Sequence, residues 1–141
     1  MSKILSVFFM FFLAFANAVD LGFSEQHLFE LKKDEWARVF VTEKGAQDRD
    51  SFEFRWTLFD NTNIILHTRY RNYPRQLVMS LRRGLSLYKQ SLIPDFRQPP
   101  MDIAWLYLEF ENFKDGKGFF KVYIKDDKKR LDVEFLDPVK R

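Results

Sequence analysis

From Glu35 onward, alternation of apolar and polar residues with a period of two is the dominant pattern of this chain, and that spacing points to strands. A period of two puts alternate side chains on opposite faces of an extended strand. In Phe52-Glu53-Phe54-Arg55-Trp56-Thr57-Leu58 the apolar side chains fall on one face, while Glu53, Arg55 and Thr57 fall on the other. A strand with one face packed and one face wet reads this way. Asp60-Asn61-Thr62-Asn63 is a turn, because Asn and Asp tolerate left-handed backbone and bond their own main chain. Ile64 to Arg71 then resumes the pattern, which predicts a hairpin.

The C-terminal third repeats the scheme. Ile103 to Phe110 is a strand with Trp105 and Tyr107 on one side and Leu106, Leu108 and Phe110 on the other. Lys114-Asp115-Gly116-Lys117-Gly118 carries turn residues, Phe119 to Lys125 returns, and Asp126-Asp127-Lys128-Lys129 turns again before Leu131 to Phe135. These last strands are expected to form a three-stranded meander, stopped by Asp137-Pro138.

Nearer the N-terminus, Leu28 to Leu31 and Trp36 to Val41 flank a polar tetrad and suggest another hairpin. A helix over Ser24 to Lys33, capped by Ser24, is the competing reading. Gln76 to Ile93 is ambiguous. Val78, Leu81, Leu85, Tyr88 and Leu92 fit a helical stripe, yet Gly84 interrupts it, and the strand context favours Gln76–Leu81 and Leu85–Ile93 around an Arg82-Arg83-Gly84 turn. Tyr73-Pro74 is expected to break the chain just before. Pro94, Pro99 and Pro100 bracket a stiff loop from Ile93 to Met101, a crossover or a lid.

The first residues are of another kind. Lys3 precedes the apolar run Ile4 to Phe15, and Ala16-Asn17-Ala18 offers small residues where a signal peptidase reads. That order is a secretory leader, so residues 1–18 are expected to be removed and residues 19–141 to form one domain. Export would place the protein in the periplasm of a Gram-negative source and outside the cell otherwise. The run is too short to span a bilayer and meets Asp20 at once, so no stable membrane insertion is expected after cleavage. The chain has no cysteine, which excludes disulfides, thiol chemistry and cysteine-ligated zinc. Packing alone must hold the domain, and its many rings are suited to that. Together these features predict an all-β domain of about seven or eight antiparallel strands, a sandwich or a partly open barrel.

No catalytic constellation assembles in the sequence. His27 and His67 stand alone, no Gly-x-Ser-x-Gly elbow exists, and no histidine spacing or acidic loop suits a metal, so no cofactor is expected. Glu109 and Glu111 are candidate carboxylates for a glycan hydrolase, although a wet strand face explains them equally. The net charge of +3 gives no case for nucleic acid.

One cluster departs from the even mixture of charges. Arg69, Arg71, Arg75, Arg82 and Arg83 are interleaved with Tyr70 and Tyr73 and contain no acid between them. Arginine forks fit carboxylate and phosphate, and tyrosines offer stacking surfaces, so the cluster is a candidate patch for an anionic partner. In adjacent strands Arg69 and Arg71 are expected to share a face. The competing explanation is that these arginines guard an edge or pair with carboxylates on neighbouring strands. The leading functional expectation is an exported, non-enzymatic binding or envelope-assembly protein acting through a strand face, an edge or this patch, toward a protein or an anionic envelope component. A β-barrel carrier of an apolar ligand is the alternative, with the hydrolase behind it.

Overall fold

A computed structural model of the chain describes residues 22–82, 84–92 and 103–138. The leader Met1–Ala18, Arg83 and the proline-bracketed loop Ile93–Met101 lie outside the described residues. The strands are β1 (Glu25–Lys32), β2 (Ala37–Glu43), β3 (Arg49–Phe59), β4 (Asn63–Tyr70), β5 (Tyr73–Ser80), β6 (Leu87–Leu92), β7 (Ala104–Lys114), β8 (Lys117–Lys125) and β9 (Leu131–Leu136). They make a smaller sheet of four strands, β1-β8-β7-β6, and a larger one of five, β5-β4-β3-β2-β9. Every pairing in both sheets is antiparallel. The expected all-β sandwich is what forms, with nine strands among the described residues rather than seven or eight, and neither sheet described closes into a barrel. The helices considered for Ser24–Lys33 and Gln76–Ile93 give way to β1, β5 and β6.

The alternation decides which side chains meet between the sheets. Phe52 and Phe54 of β3, Phe110 of β7 and Phe120 of β8 are almost wholly buried, as are Phe29 and Leu31 of β1. Phe54 meets Phe29 and Phe120 edge-on, each at 5.5 Å, and Phe110 stacks on Phe120 at 5.2 Å. Such pairs contribute about 0.5–1.5 kcal/mol each beyond their buried area. The Trp56 indole Nε1 donates to the Leu31 carbonyl at 2.7 Å, which fastens β3 of one sheet to β1 of the other.

Three connections differ from expectation for one shared reason. The meander, the β1–β2 hairpin and the turn around Arg82-Arg83-Gly84 are all corners that carry the chain from one sheet to the other. A polar turn between two alternating strands looks the same locally whether the strands pair or part; the edges on offer decide. β9 leaves β8 to pair with β2, β1 pairs with β8 rather than β2, and β5 and β6 lie at the edges of opposite sheets. At the β8–β9 corner the buried Asp126 carboxylate accepts from the Arg130 and Leu131 amides at 3.1 and 2.9 Å, winding the chain away from β8. At the β1–β2 corner the Asp34 amide bonds the Trp56 carbonyl at 3.0 Å.

Two local features also depart from the expected pattern. A tight β4–β5 hairpin turns at Arg71 and Asn72, both at positive φ (51° and 61°), so Tyr73-Pro74 opens a strand rather than breaking the chain. Pro74 is tolerated there because β5 is an edge. A bulge between Trp56 and Leu58 reverses the parity of β3, turning Leu58 outward and Phe59 toward the core. The β3–β4 and β7–β8 hairpins form as expected, the second on Asp115 and Gly116, both at positive φ.

Candidate functional site

The outer face of the larger sheet carries more than a solvated strand surface requires. Register aligns its outward residues in rows across β2 to β5: Arg38, Glu53, Arg69 and Pro74 in the first, and Arg55, His67 and Gln76 in the second. Leu58, Ile65 and Val78 form the third.

Glu53 anchors the first row. Its carboxylate is buried, with a side chain only 11% exposed, and Arg69 and Arg38 reach it from either side. Arg69 donates Nε to Glu53 Oε2 at 2.9 Å and brings Nη2 to the same oxygen. Arg38 Nε lies 3.5 Å from Oε1. A buried anion held this way fixes two guanidinium groups on the surface.

Trp36, at the end of the β1–β2 corner, supplies the floor beside them. Its ring lies under the guanidinium carbons of Arg55 and Arg69, 4.9 and 5.4 Å from the centroid. Arg55 Nη1 stands 3.8 Å from Asp34, and its buried Nε has no hydrogen-bond partner among the described residues. His67 Nε2 and Thr57 Oγ1 are 3.2 Å apart. Trp36, Arg55, His67 and Arg69 line a shallow cleft of about 360 Å³, with Arg75 and Gln76 at its rim. Trp36 also borders a broader groove of about 1000 Å³, where lysines and carboxylates alternate and no single sign of charge converges.

The third row adjoins the cleft about 7 Å farther along the strands. Leu58 is 54% exposed and Val78 67%, with Ile65 half-buried between them. A ring, paired arginines and an apolar strip thus share one rigid face.

The arginine-tyrosine cluster is dispersed by this architecture. Among the described residues of the cluster, Arg69 joins Trp36, Arg38 and Arg55, and Arg75 reaches the rim of their cleft. Arg71 sits in the β4–β5 turn and donates Nε to Asp50 at 2.9 Å. It does not share the strand face of Arg69, because the turn begins with it. Arg75 opposes Thr68 on the other parity of β5, over the exposed Tyr73 ring at 5.6 Å. Tyr70 is buried, and Arg82 follows Ser80 at the far end of the hairpin. Pairing with carboxylates, one of the two explanations of the cluster, holds for Arg69 and Arg71. Trp36, Arg38, Arg55, Leu58 and Val78 were not singled out as site residues by sequence; the bulge reverses the parity expected of Leu58, and the alignment of all five depends on which strands pair.

The remaining candidates lie elsewhere. His27 stacks on Phe135 at 5.0 Å and meets Asp137 at 2.9 Å, joining the edges β1 and β9. Glu109 accepts from the Tyr123 hydroxyl at 2.9 Å, and Glu111 lies 3.9 Å from Lys121. Among the described residues no group of three or more His, Asp or Glu is placed to hold a metal ion. No family model matches the chain, and searches of curated proteins and of solved structures also find no match.

Proposed function

We propose that this is an exported, non-enzymatic binding protein that docks a partner protein through the outer face of its larger sheet. The observation that carries the reading is the alignment of exposed Leu58 and Val78 beside the Trp36–Arg55–Arg69 cleft. Binding energy at protein interfaces concentrates on Trp, Tyr and Arg near the centre of the patch, with apolar contacts around them. An acidic group on the partner would meet the accessible part of the Arg55 guanidinium, whose side chain is 35% exposed, while an apolar side chain beside it covered Leu58 and Val78. The leader pattern of residues 1–18 supports export, to the periplasm or the cell exterior according to the source. The carrier alternative asks for room between the sheets, which Phe29, Phe54, Phe110 and Phe120 occupy. The hydrolase alternative asks for a cleft between its carboxylates, and Glu109 and Glu111 stand on a strand face.

The test is a pull-down from the cell-envelope fraction with residues 19–141 as bait, beside Leu58→Asp with Val78→Asp and, separately, Arg55→Gln. The expected result is a protein retained by the native surface and lost from both variants, with melting temperatures unchanged. Recovery of the bait alone, or equal recovery by the variants, refutes the assignment.

A further inference from the structure

The opposite face of the sandwich has a different chemistry. Across the smaller sheet, register lines up Ser91, Trp105 and Lys125 in one outward row. The next row is Lys89, Tyr107, Tyr123 and Gln26, and the one after it sets Glu109 beside Lys121. Strand spacing of about 4.8 Å and a two-residue repeat of about 6.7 Å make this block roughly 14 by 13 Å. Trp105, Tyr107 and Tyr123 are half-buried, so their positions are fixed while part of each ring meets solvent. Phe23 braces the pair of tyrosines, 5.8 Å from Tyr107 and 4.9 Å from Tyr123. Lys89 Nζ rests 3.8 Å from the Trp105 centroid and 5.6 Å from that of Tyr107, and Lys121 Nζ lies 5.2 Å from that of Tyr123.

We propose that this face binds an acidic polysaccharide. Flat, amphipathic rings offer stacking surfaces to the C–H faces of sugar rings. The lysines are mobile point charges, suited to carboxylates or sulfates spaced along a polymer rather than to one bidentate anion. Their resting place over the rings holds the ammonium groups ready, and a swing toward an anion uncovers the ring it leaves. Glu109, Gln26 and Ser91 supply acceptors among the cations, which a ligand rich in hydroxyl donors satisfies. Single-stranded DNA also pairs flat rings with anions, but it carries almost no hydroxyl donors for Glu109, Gln26 and Ser91. Burial first, and then Glu109 as hydrogen-bond acceptor and neighbouring charge, raise the Tyr123 phenol above its ordinary range, so it stays a donor and keeps Glu109 in place. The site is on the other sheet from the protein-docking face, and the two assignments stand or fall separately.

Affinity electrophoresis of residues 19–141 tests this in gels containing polygalacturonate, chondroitin sulfate or neutral dextran, with oligothymidylate as a competitor in solution. Retardation is expected in at least one acidic gel and not in dextran, and oligothymidylate should compete weakly. Trp105→Ala should weaken binding about tenfold, equivalent to roughly 1.4 kcal/mol. Because that variant removes a half-buried ring, Lys89→Gln with Lys125→Gln provides a second arm confined to exposed charges. It should weaken retardation at low salt and approach the native protein at high salt. Three results overturn the proposal: no retardation by either acidic polymer, equal retardation of the lysine variant at low salt, or oligothymidylate binding tighter than both glycans. Leu58→Asp with Val78→Asp should leave retardation unchanged.

Discussion

Arg69→Met should destabilise the protein more than Glu53→Gln, although both break the same ion pair. The asymmetry comes from burial. Glu53 has a side chain 11% exposed, while those of Arg69 and Arg38 are 47% and 46% exposed. Removing Arg69 leaves a nearly buried carboxylate with Arg38 alone, at 3.5 Å. Stranding a buried charge costs about 3–5 kcal/mol in a fully buried pair and about 0–1 kcal/mol at the surface. The half-exposed guanidinium places this pair between those limits, near 2 kcal/mol, and methionine keeps the packing of the arginine stem. Glu53→Gln strands only cations that water already reaches, and the amide oxygen still accepts a hydrogen bond; its cost is about 1 kcal/mol.

Urea unfolding of the two single variants and the double variant gives the cycle, provided the slope with denaturant stays constant. The double variant should cost about 1 kcal/mol less than the two single changes together, because the second loss no longer strands a charge. A Glu53→Gln penalty equal to or above that of Arg69→Met would refute the reasoning, as would a coupling energy of zero.

Three further outcomes follow from the same structure. In Gly118→Ala the new Cβ would stand 2.5 Å from Phe120 Cε2 and 3.4 Å from Trp56 Nε1, and Phe120 is pinned by Phe54 and Phe110, so a loss of about 1–3 kcal/mol is expected in urea; an unchanged midpoint would show that the ring yields freely. Partial burial, with Asp132 and Asp126 nearby, raises the Glu25 carboxyl pKa, and stability fully present below the unfolded value is then lost as pH rises through the folded one. Glu25→Gln should therefore raise the melting temperature at pH 7 and leave it unchanged below about pH 4, checked by thermal melts across that range. Asp60 has the opposite sign: bonds from the Asn63 and Thr62 amides lower its pKa, so its contribution is present at neutral pH and fades in acid. Asp60→Ala should melt below the native protein at pH 7 and converge with it as the carboxyl is protonated.

The strands were legible because alternation is a local property. Leu106, Leu108 and Phe110 against Trp105 and Tyr107 could be assigned to faces without knowing any partner, and the Asp60–Asn63 and Asp115–Gly116 turns carried their own chemistry. Sheet membership was not local. Asp126-Asp127-Lys128-Lys129 reads as a hairpin tip, yet the buried Asp126 carboxylate bonds the Arg130 and Leu131 amides at a corner leading to β2. The proposed docking face was hidden for the same reason. Arg69 was visible as a cation, but its neighbours Arg38, Arg55 and Trp36 come from strands and a corner that only register places beside it. Runs of arginine in sequence were a poor guide, since the positive φ of Arg71 turns the chain within the cluster itself.

Packing accounts for part of the exposed apolar row, and the part it leaves over is the stronger argument for binding. The bulge in β3 has a counterpart in β7 between Phe110 and Asn112, and the pair of parity reversals brings Phe59 and Phe113 inward to stack at 3.9 Å. Phe113 also meets Trp56 edge-on at 5.2 Å, so the two bulges extend the aromatic core toward the end of the sandwich. Leu58 faces water as the other half of that exchange, and its exposure alone is not evidence of a partner. Val78 has no such account. It lies on the edge strand β5, in regular register with Ile65 and with no bulge to displace it, and it is 67% exposed. Edge strands gain protection against aggregation from charge or proline, and β5 carries both at Pro74 and Arg75, only a few residues away. An apolar side chain at Val78 adds little to the folded state and weakens that protection. It aligns with Ile65 and Leu58 to complete a strip beside the arginine cleft, and covering by a partner gives it an energetic role that the isolated domain does not.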